Sequence, residues 1–525
     1  MRRLVLAERV RDAGRVLGNA LLLDAHHITA VGDADSLPTE GVAEIHDTGG
    51  IVVPGLIDAH FHPIGYAAAL SRPSFKAATS FDEVADTVRE ALADRPHGLP
   101  MTGLRIDDET LAEGTLPNRD ILDRVAPDHP VLLIRYCGHV AAANSAALRL
   151  AGIDPGRADP PGGSIDRDRH GRPTGILRET ALDLVARVFD EHTPPLSIEE
   201  VVAAMTAAAS LGICAAGGIV AASSSMWGAG AGELALLCDA APDLPIDLAL
   251  LVSASSPAEL EGAARRIEEA GGRLRFLGVK LYSDGSLGGH TAAMCEPFTD
   301  RPGHRGLDRL DPVWAGAMAR TAIDLGGRVA VHAIGDAANG AVLDFFERLI
   351  DGGTDPDLLR IEHASVLTEP DIARIGRLGV TASVQPAFLA SEHGWLERRL
   401  GPDRLRRTYA FRSLLAAGAR LAGGSDSPVE PLDPLLGIAA SRDRCGLMPE
   451  QGLDSGDALR LFTEWAGRSI GAASGLAPGQ PATFTVLDRD PVEGSPDELR
   501  RARVLATWID GDVVAVPQGV VTWRG

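Results

Sequence analysis

Two kinds of apolar spacing run along this chain, and they occupy different parts of it. Near the N-terminus short apolar runs stand between Gly and Asp turns: Leu4–Leu6, Ala20–Leu23, Ile28–Gly32 and Ala43–Asp47. Short runs bounded by turn-formers predict strands. The C-terminal end repeats the pattern at Thr483–Leu487, Val504–Ile509 and Val513–Val516, with Asp510-Gly511-Asp512 as a hairpin turn. Strand-rich ends around a long middle predict one small β-sandwich assembled from residues 1–52 and 470–525.

The middle alternates instead. Eight apolar runs (Ile51–Val53, Ile213–Ala216, Ile246–Val252, Phe276–Leu281, Arg328–His332, Arg360–Glu362, Val380–Val384 and Arg420–Ala422) are separated mostly by helical patterns. Val201–Leu211, Pro257–Glu269, Pro312–Leu325, Ala341–Leu349 and Glu369–Leu378 show the helical period. Alternation of this kind predicts an α/β fold, a (β/α)8 TIM barrel over residues 53–469. The connection after the first run is far longer than the usual βα loop of about 2–6 residues. It holds its own apolar run, Val131–Tyr136, a helical pattern at Asn144–Leu150 and a Gly/Pro-rich hairpin near Pro160–Thr174. It predicts an inserted subdomain over residues 65–195. An insertion after a barrel strand lies over the mouth where active sites form.

Composition removes several classes of function. Of 525 residues, 45% are hydrophobic and 23% charged, which is ordinary for a globular chain with a sizeable core. The formal net charge is −22, which argues against nucleic-acid or anionic-membrane binding. No apolar stretch is long enough for a membrane span, and the N-terminal apolar run stops too soon for a secretory signal. The five cysteines, Cys137, Cys214, Cys238, Cys295 and Cys445, form no CxxC and are odd in number. They read as small buried apolar residues in a cytoplasmic protein.

The sharpest chemical signal is Asp58-Ala59-His60-Phe61-His62 at the end of the first barrel strand. Strand side chains alternate faces, so His60 and His62 share one face with Asp58, and Phe61 points away. Two imidazoles on one face can share a metal ion, with zinc the default. Lys280 lies inside an apolar strand, where an unpaired ammonium is costly. His332, His363 and Asp426 each end a predicted barrel strand, the place where catalytic side chains converge.

The order HxH, Lys, His, His, Asp resembles the amidohydrolase superfamily of metal-dependent hydrolases. The nearer likeness is to its amidohydrolase family 3 branch, which includes N-substituted formamide deformylases. It runs over nearly the whole chain. It is carried by Val53–His62, Gly138–Leu148, Gly162–Ile165, Pro173–Glu179, Asp284–Gly288, His332–Asp336, Glu362–Ala364, Gly424–Val429 and Pro431–Leu435. The resemblance implies that His60 and His62 bind the more buried of two metals. Lys280 matches a carboxylated lysine that bridges the two, its carbamate formed from carbon dioxide. His332 and His363 match ligands of the second metal, and Asp426 a ligand that also shuttles the proton. His139, Asp284 and Ser286 are candidates for substrate contact, whereas Asn144 reads as a helix cap. Two departures from the branch pattern, Ser427 after Gly-Ser-Asp and Gly288-Gly289-His290 after Asp-Gly-Ser-Leu, fall near the expected pocket.

The implied activity is hydrolysis of a non-peptide carbon–nitrogen bond in a small amide, formamide or cyclic amide. A mononuclear deaminase and a non-catalytic binding or regulatory barrel are the alternatives. The lysine argues against the first and the complete ligand set against the second. The resemblance alone suggests a homodimer.

Overall fold

The computed structural model describes residues 2–136, 138–192, 195–223 and 232–515. Cys137 and Val516 therefore lie outside the described residues. Eight parallel strands form the central sheet in simple sequential order: Leu56–Phe61, Ile213–Ala221, Asp247–Ser253, Leu274–Tyr282, Arg328–Ala333, Leu359–His363, Thr381–Val384 and Arg420–Gly423. The first, second and sixth strands are buried at every position. A parallel sheet covered on both sides reads as continuous apolar sequence for this reason.

The segment after the eighth strand closes the barrel. Asp426 N–H donates to the His60 carbonyl at 2.7 Å, and His62 N–H to the Ser427 carbonyl at 2.9 Å. Asp58 adds a second tie: its carboxylate accepts from the backbone N–H of His60 at 3.0 Å and of Ser425 at 3.1 Å. Gly424 permits the close approach, since a Cβ there would stand 2.6 Å from the His60 nitrogen. Closure itself thus brings Asp426 against both histidines of the HxH motif.

One expected barrel strand belongs elsewhere. Ile51–Pro54 pairs with Phe484–Leu487 and with Arg2–Asp12, in the sheet built by the two ends of the chain. The barrel begins two residues later, at Leu56, because Gly55 separates two apolar runs that look continuous in sequence. Eight strands from the two end segments are joined by hydrogen bonds in one sheet that branches at Arg2–Asp12. Its core includes Val5, Val10, Leu21, Val52 and Phe484, with Trp508 stacked on Phe484 at 5.1 Å.

Between the first and second barrel strands lies a separate five-stranded sheet, in the order Gly163–Arg167, Pro173–Glu179, Val140–Ala143, Val131–Arg135, Met101–Ile106. Alternation divides its apolar residues between two cores. Leu132, Ile134, Ala141 and Ala143 face one, and Val131, Leu133 and Ala142 the other. Asn144 caps the helix Ser145–Leu150, accepting from Ala147 N–H at 2.9 Å. No helix among the described residues is long and apolar enough to cross a membrane. Of the described cysteines only Cys214 is buried; Cys295 is exposed, against the expectation that all would be core.

Candidate metal centre

The six candidate ligands converge on one cavity of about 580 Å³ at the C-terminal ends of the barrel strands. All six are buried, none more than 7% exposed. Asp426 is the meeting point: its Oδ1 lies 3.0 Å from His62 Nε2 and 3.1 Å from His60 Nε2. Ligand atoms of His60, His363 and Asp426 all fall within 4.8 Å of one another. The His332 ring is centred 4.5 Å from that of His363. His363 and Asp426 both hold left-handed backbone, φ 76° and 58°. Such conformations cost about 1–3 kcal/mol each and persist where the surroundings over-determine them.

Each imidazole is oriented by a group behind it. His60 Nδ1 faces Glu362 Oε2 at 2.5 Å, and His363 Nδ1 faces Gln385 Oε1 at 2.8 Å. Both geometries put the proton on Nδ1 and the lone pair on Nε2. His332 is turned the other way, with Nε2 3.0 Å from the Gly285 carbonyl, which leaves Nδ1 as its lone-pair atom. Glu362 is held in turn by Arg360, whose guanidinium also donates to the Ala59 carbonyl at 2.6 Å and to Ser383 Oγ at 3.1 Å. Arg360 and Glu362 are not among the candidate residues drawn from sequence. Their signal was present: two charged residues at alternate positions of a strand buried throughout can survive only as a pair.

Protonation favours ligation. Burial pushes His62, His332 and His363 below the usual imidazole range, so these rings are neutral donors. Burial alone would raise Asp426, but His60, His62 and His363 hold it well below the carboxylate range. Among the described residues His60 Nε2 is buried without a hydrogen-bond partner, despite the nearby carboxylate. Neutral imidazoles, one carboxylate and an unsatisfied ring nitrogen fit a divalent ion of borderline softness. Burial also lowers Lys280 to about 8. Among the described residues no hydrogen bond or ion pair holds its Nζ, which sits 5.3 Å from the centre of the Tyr282 ring. Glu362→Gln is expected to weaken metal binding about 10–100-fold, the usual effect of losing a group that orients a ligand. Competition against a colorimetric chelator measures it, and unchanged affinity would remove Glu362 from that role.

Of the candidates for substrate contact, His139 and Ser286 line the cavity and Asp284 does not. Asp284 is fully buried. It accepts from the backbone N–H of Ile334 at 3.0 Å, Gly335 at 2.8 Å and Ala293 at 2.9 Å, and lies 3.4 Å from His332 Nε2. Its place is behind His332, because those amides occupy both of its oxygens. Ser427 and His290 do not line the cavity either. Ser427 is buried at the closing seam, and His290 pairs with Asp300 at 3.1 Å.

Glu392, in the short helix Phe388–Glu392, lines the cavity and was not anticipated. Burial raises its carboxyl to about 8, although the Tyr409 hydroxyl donates to it at 2.5 Å. The unfolded chain releases this proton near 4.5, whereas the folded chain keeps it to about 8. Stability therefore falls as pH rises through that window. Glu392→Gln is expected to remove this contribution, so calorimetric melting temperatures should fall less than those of the wild type between those two pH values.

The fold and the site together define a (β/α)8 barrel of the metal-dependent hydrolase class. The chain belongs to the amidohydrolase family, whose sequence model matches residues 47–515. N-substituted formamide deformylase of Arthrobacter pascens is 29% identical, over 96% of each chain. The Arabidopsis thaliana protein LONG AFTER FAR-RED 3 is 32% identical over 90% of this chain and 83% of its own. The crystal structure of an uncharacterized metal-dependent hydrolase from Pyrococcus horikoshii covers 95% of this chain and 99% of its own, at 29% identity and a TM-score of 0.73.

Proposed function

We propose that the protein hydrolyses a non-peptide carbon–nitrogen bond in a small amide, formamide or cyclic amide. The observation that carries this reading is the convergence of His60, His62, Lys280, His332, His363 and Asp426 on one cavity. The formamide deformylase likeness over almost the full chain supports the bond type. His60 and His62 would hold one divalent ion and His332 and His363 a second, with Asp426 and a carbamate on Lys280 as anionic ligands and zinc the default metal. Such ions supply Lewis acidity toward a carbonyl oxygen and lower the pKa of water to about 7.

The chain's own part is orientation and proton transfer. Water adds to the carbonyl carbon and the carbon–nitrogen bond breaks, giving an acid and an amine. Asp426 accepts the proton of the attacking water and returns it to the leaving nitrogen. Ser and Cys nucleophiles have no part in this sequence. Residues 65–195 would supply much of the pocket wall, through His139 and the helix Thr180–His192.

The test is metal content per chain by mass spectrometry, on protein grown with zinc and bicarbonate and kept from chelators, followed by a panel of formamides, cyclic amides and N-acyl compounds. Two metals and turnover on the panel are expected. Full metal loading without hydrolysis of any member would overturn the reading.

A further inference from the structure

We infer that Glu179 is a positioning residue that fixes the orientation and tautomer of His139 at the metal-facing cavity. The inference deepens the proposed hydrolytic reading and depends on it only for its kinetic arm.

The pairing begins in sheet register. Strands Pro173–Glu179 and Val140–Ala143 run antiparallel, with Ile176 opposite Ala142, Leu177 opposite Ala141 and Arg178 opposite Val140. The next pair in that register is Glu179 opposite His139, closed by Glu179 N–H donating to the His139 carbonyl at 2.8 Å. The side chains then meet: His139 Nδ1 lies 2.9 Å from Glu179 Oε2. Arg309, from the long loop between the fourth and fifth barrel strands, donates to the same oxygen at 2.8 Å.

Several features make this pair more than a tie between sheet and barrel. An ion pair to Arg309 alone would serve as a tie and would need no histidine. Glu179 takes left-handed backbone, φ 52°, at the turn into the helix Thr180–His192. Non-glycine residues adopt it at a cost, and such outliers cluster at functional sites. Gly285 leaves room beside it: a Cβ there would stand 2.2 Å from Thr291 Oγ1 and 2.3 Å from Glu179 Oε1. The His139 ring is centred 5.6 Å from that of the candidate ligand His332 and lines the cavity. A carboxylate on Nδ1 fixes the proton there and makes Nε2 the atom the ring offers to substrate, since the two nitrogens are opposite in role.

The experiment uses full-length, zinc-loaded protein labelled with 15N-histidine. The His139 signals are assigned by their loss in His139→Gln. In wild type Nδ1 should appear protonated; in Glu179→Gln the two nitrogens should move toward the averaged values of a ring exchanging tautomers. Arg309→Gln, which removes the other partner of the same oxygen, should leave the His139 spectrum as in wild type. On a hydrolysed amide, Glu179→Gln and His139→Gln should each lower kcat/KM about 10–100-fold with metal retained. The double variant should fall no further than His139→Gln, because both act through one ring. An unchanged His139 spectrum in Glu179→Gln, or losses that multiply, would overturn the inference. A panel that wild type does not hydrolyse overturns the hydrolytic reading alone, since the tautomer is read without substrate.

Discussion

Asp426→Asn is expected to keep its metal and lose at least about 10²-fold in kcat, the usual scale of general acid–base catalysis. The substitution preserves size and one coordinating oxygen. It removes the ability to take a proton and give it back. In the folded chain Oδ1 sits 3.0–3.1 Å from two histidines, and the barrel's closing hydrogen bond runs through the Asp426 amide. The backbone is thereby held independently of the carboxylate, so the side chain can change without opening the barrel. Metal per chain and single-turnover rate, measured on the same preparation, separate the two roles. Wild-type turnover would remove Asp426 from proton transfer. Loss of metal would show that ligation is its dominant part, and the rate would then say nothing about the proton.

The parts of this molecule that were legible in sequence are those where local pattern and global fold agree. Seven of the eight barrel strands announce themselves as buried apolar runs between helices, since both faces of each strand are covered. The first was misplaced by a few residues because Ile51–Val53 and Leu56–Phe61 are both apolar, and only long-range pairing assigns them to different sheets. The candidate ligands were legible for a related reason: a charged or imidazole side chain at the end of an apolar strand is conspicuous. The groups behind them were not. Glu362 shows in sequence only as a charge that needs a partner; that it backs His60, across the barrel on the first strand, does not show, nor does Gln385 behind His363 or Asp284 on the amides of Ile334 and Gly335 fifty residues on. Glu179 was visible only as part of a family-like segment, and its partner His139 lies forty residues away, just before another strand.

Lys280→Ala is the counterpart test, on the residue whose chemistry is least ordinary. A lysine buried in the fourth strand, with no ion-pair partner among the described residues, is an unfavourable place for an ammonium. Burial lowers it to about 8, so a useful fraction is neutral amine at physiological pH. Neutral amine can add carbon dioxide, forming a nitrogen–carbon bond and releasing one proton, which converts a cation into an anionic oxygen ligand among neutral imidazoles. On that reading Lys280→Ala should lower kcat/KM by more than about 10²-fold, beyond the effect of losing an orienting group. Metal content should fall toward one ion per chain. The substitution also vacates a channel the width of a lysine side chain, in which formate, acetate or propionate can place a carboxylate without a tether. Such anions should restore part of both metal binding and rate, in proportion to their concentration. A buried lysine that serves only packing predicts the opposite on each count. Metal content would be unchanged, carboxylates would restore nothing, and the loss would appear in thermal stability rather than in turnover.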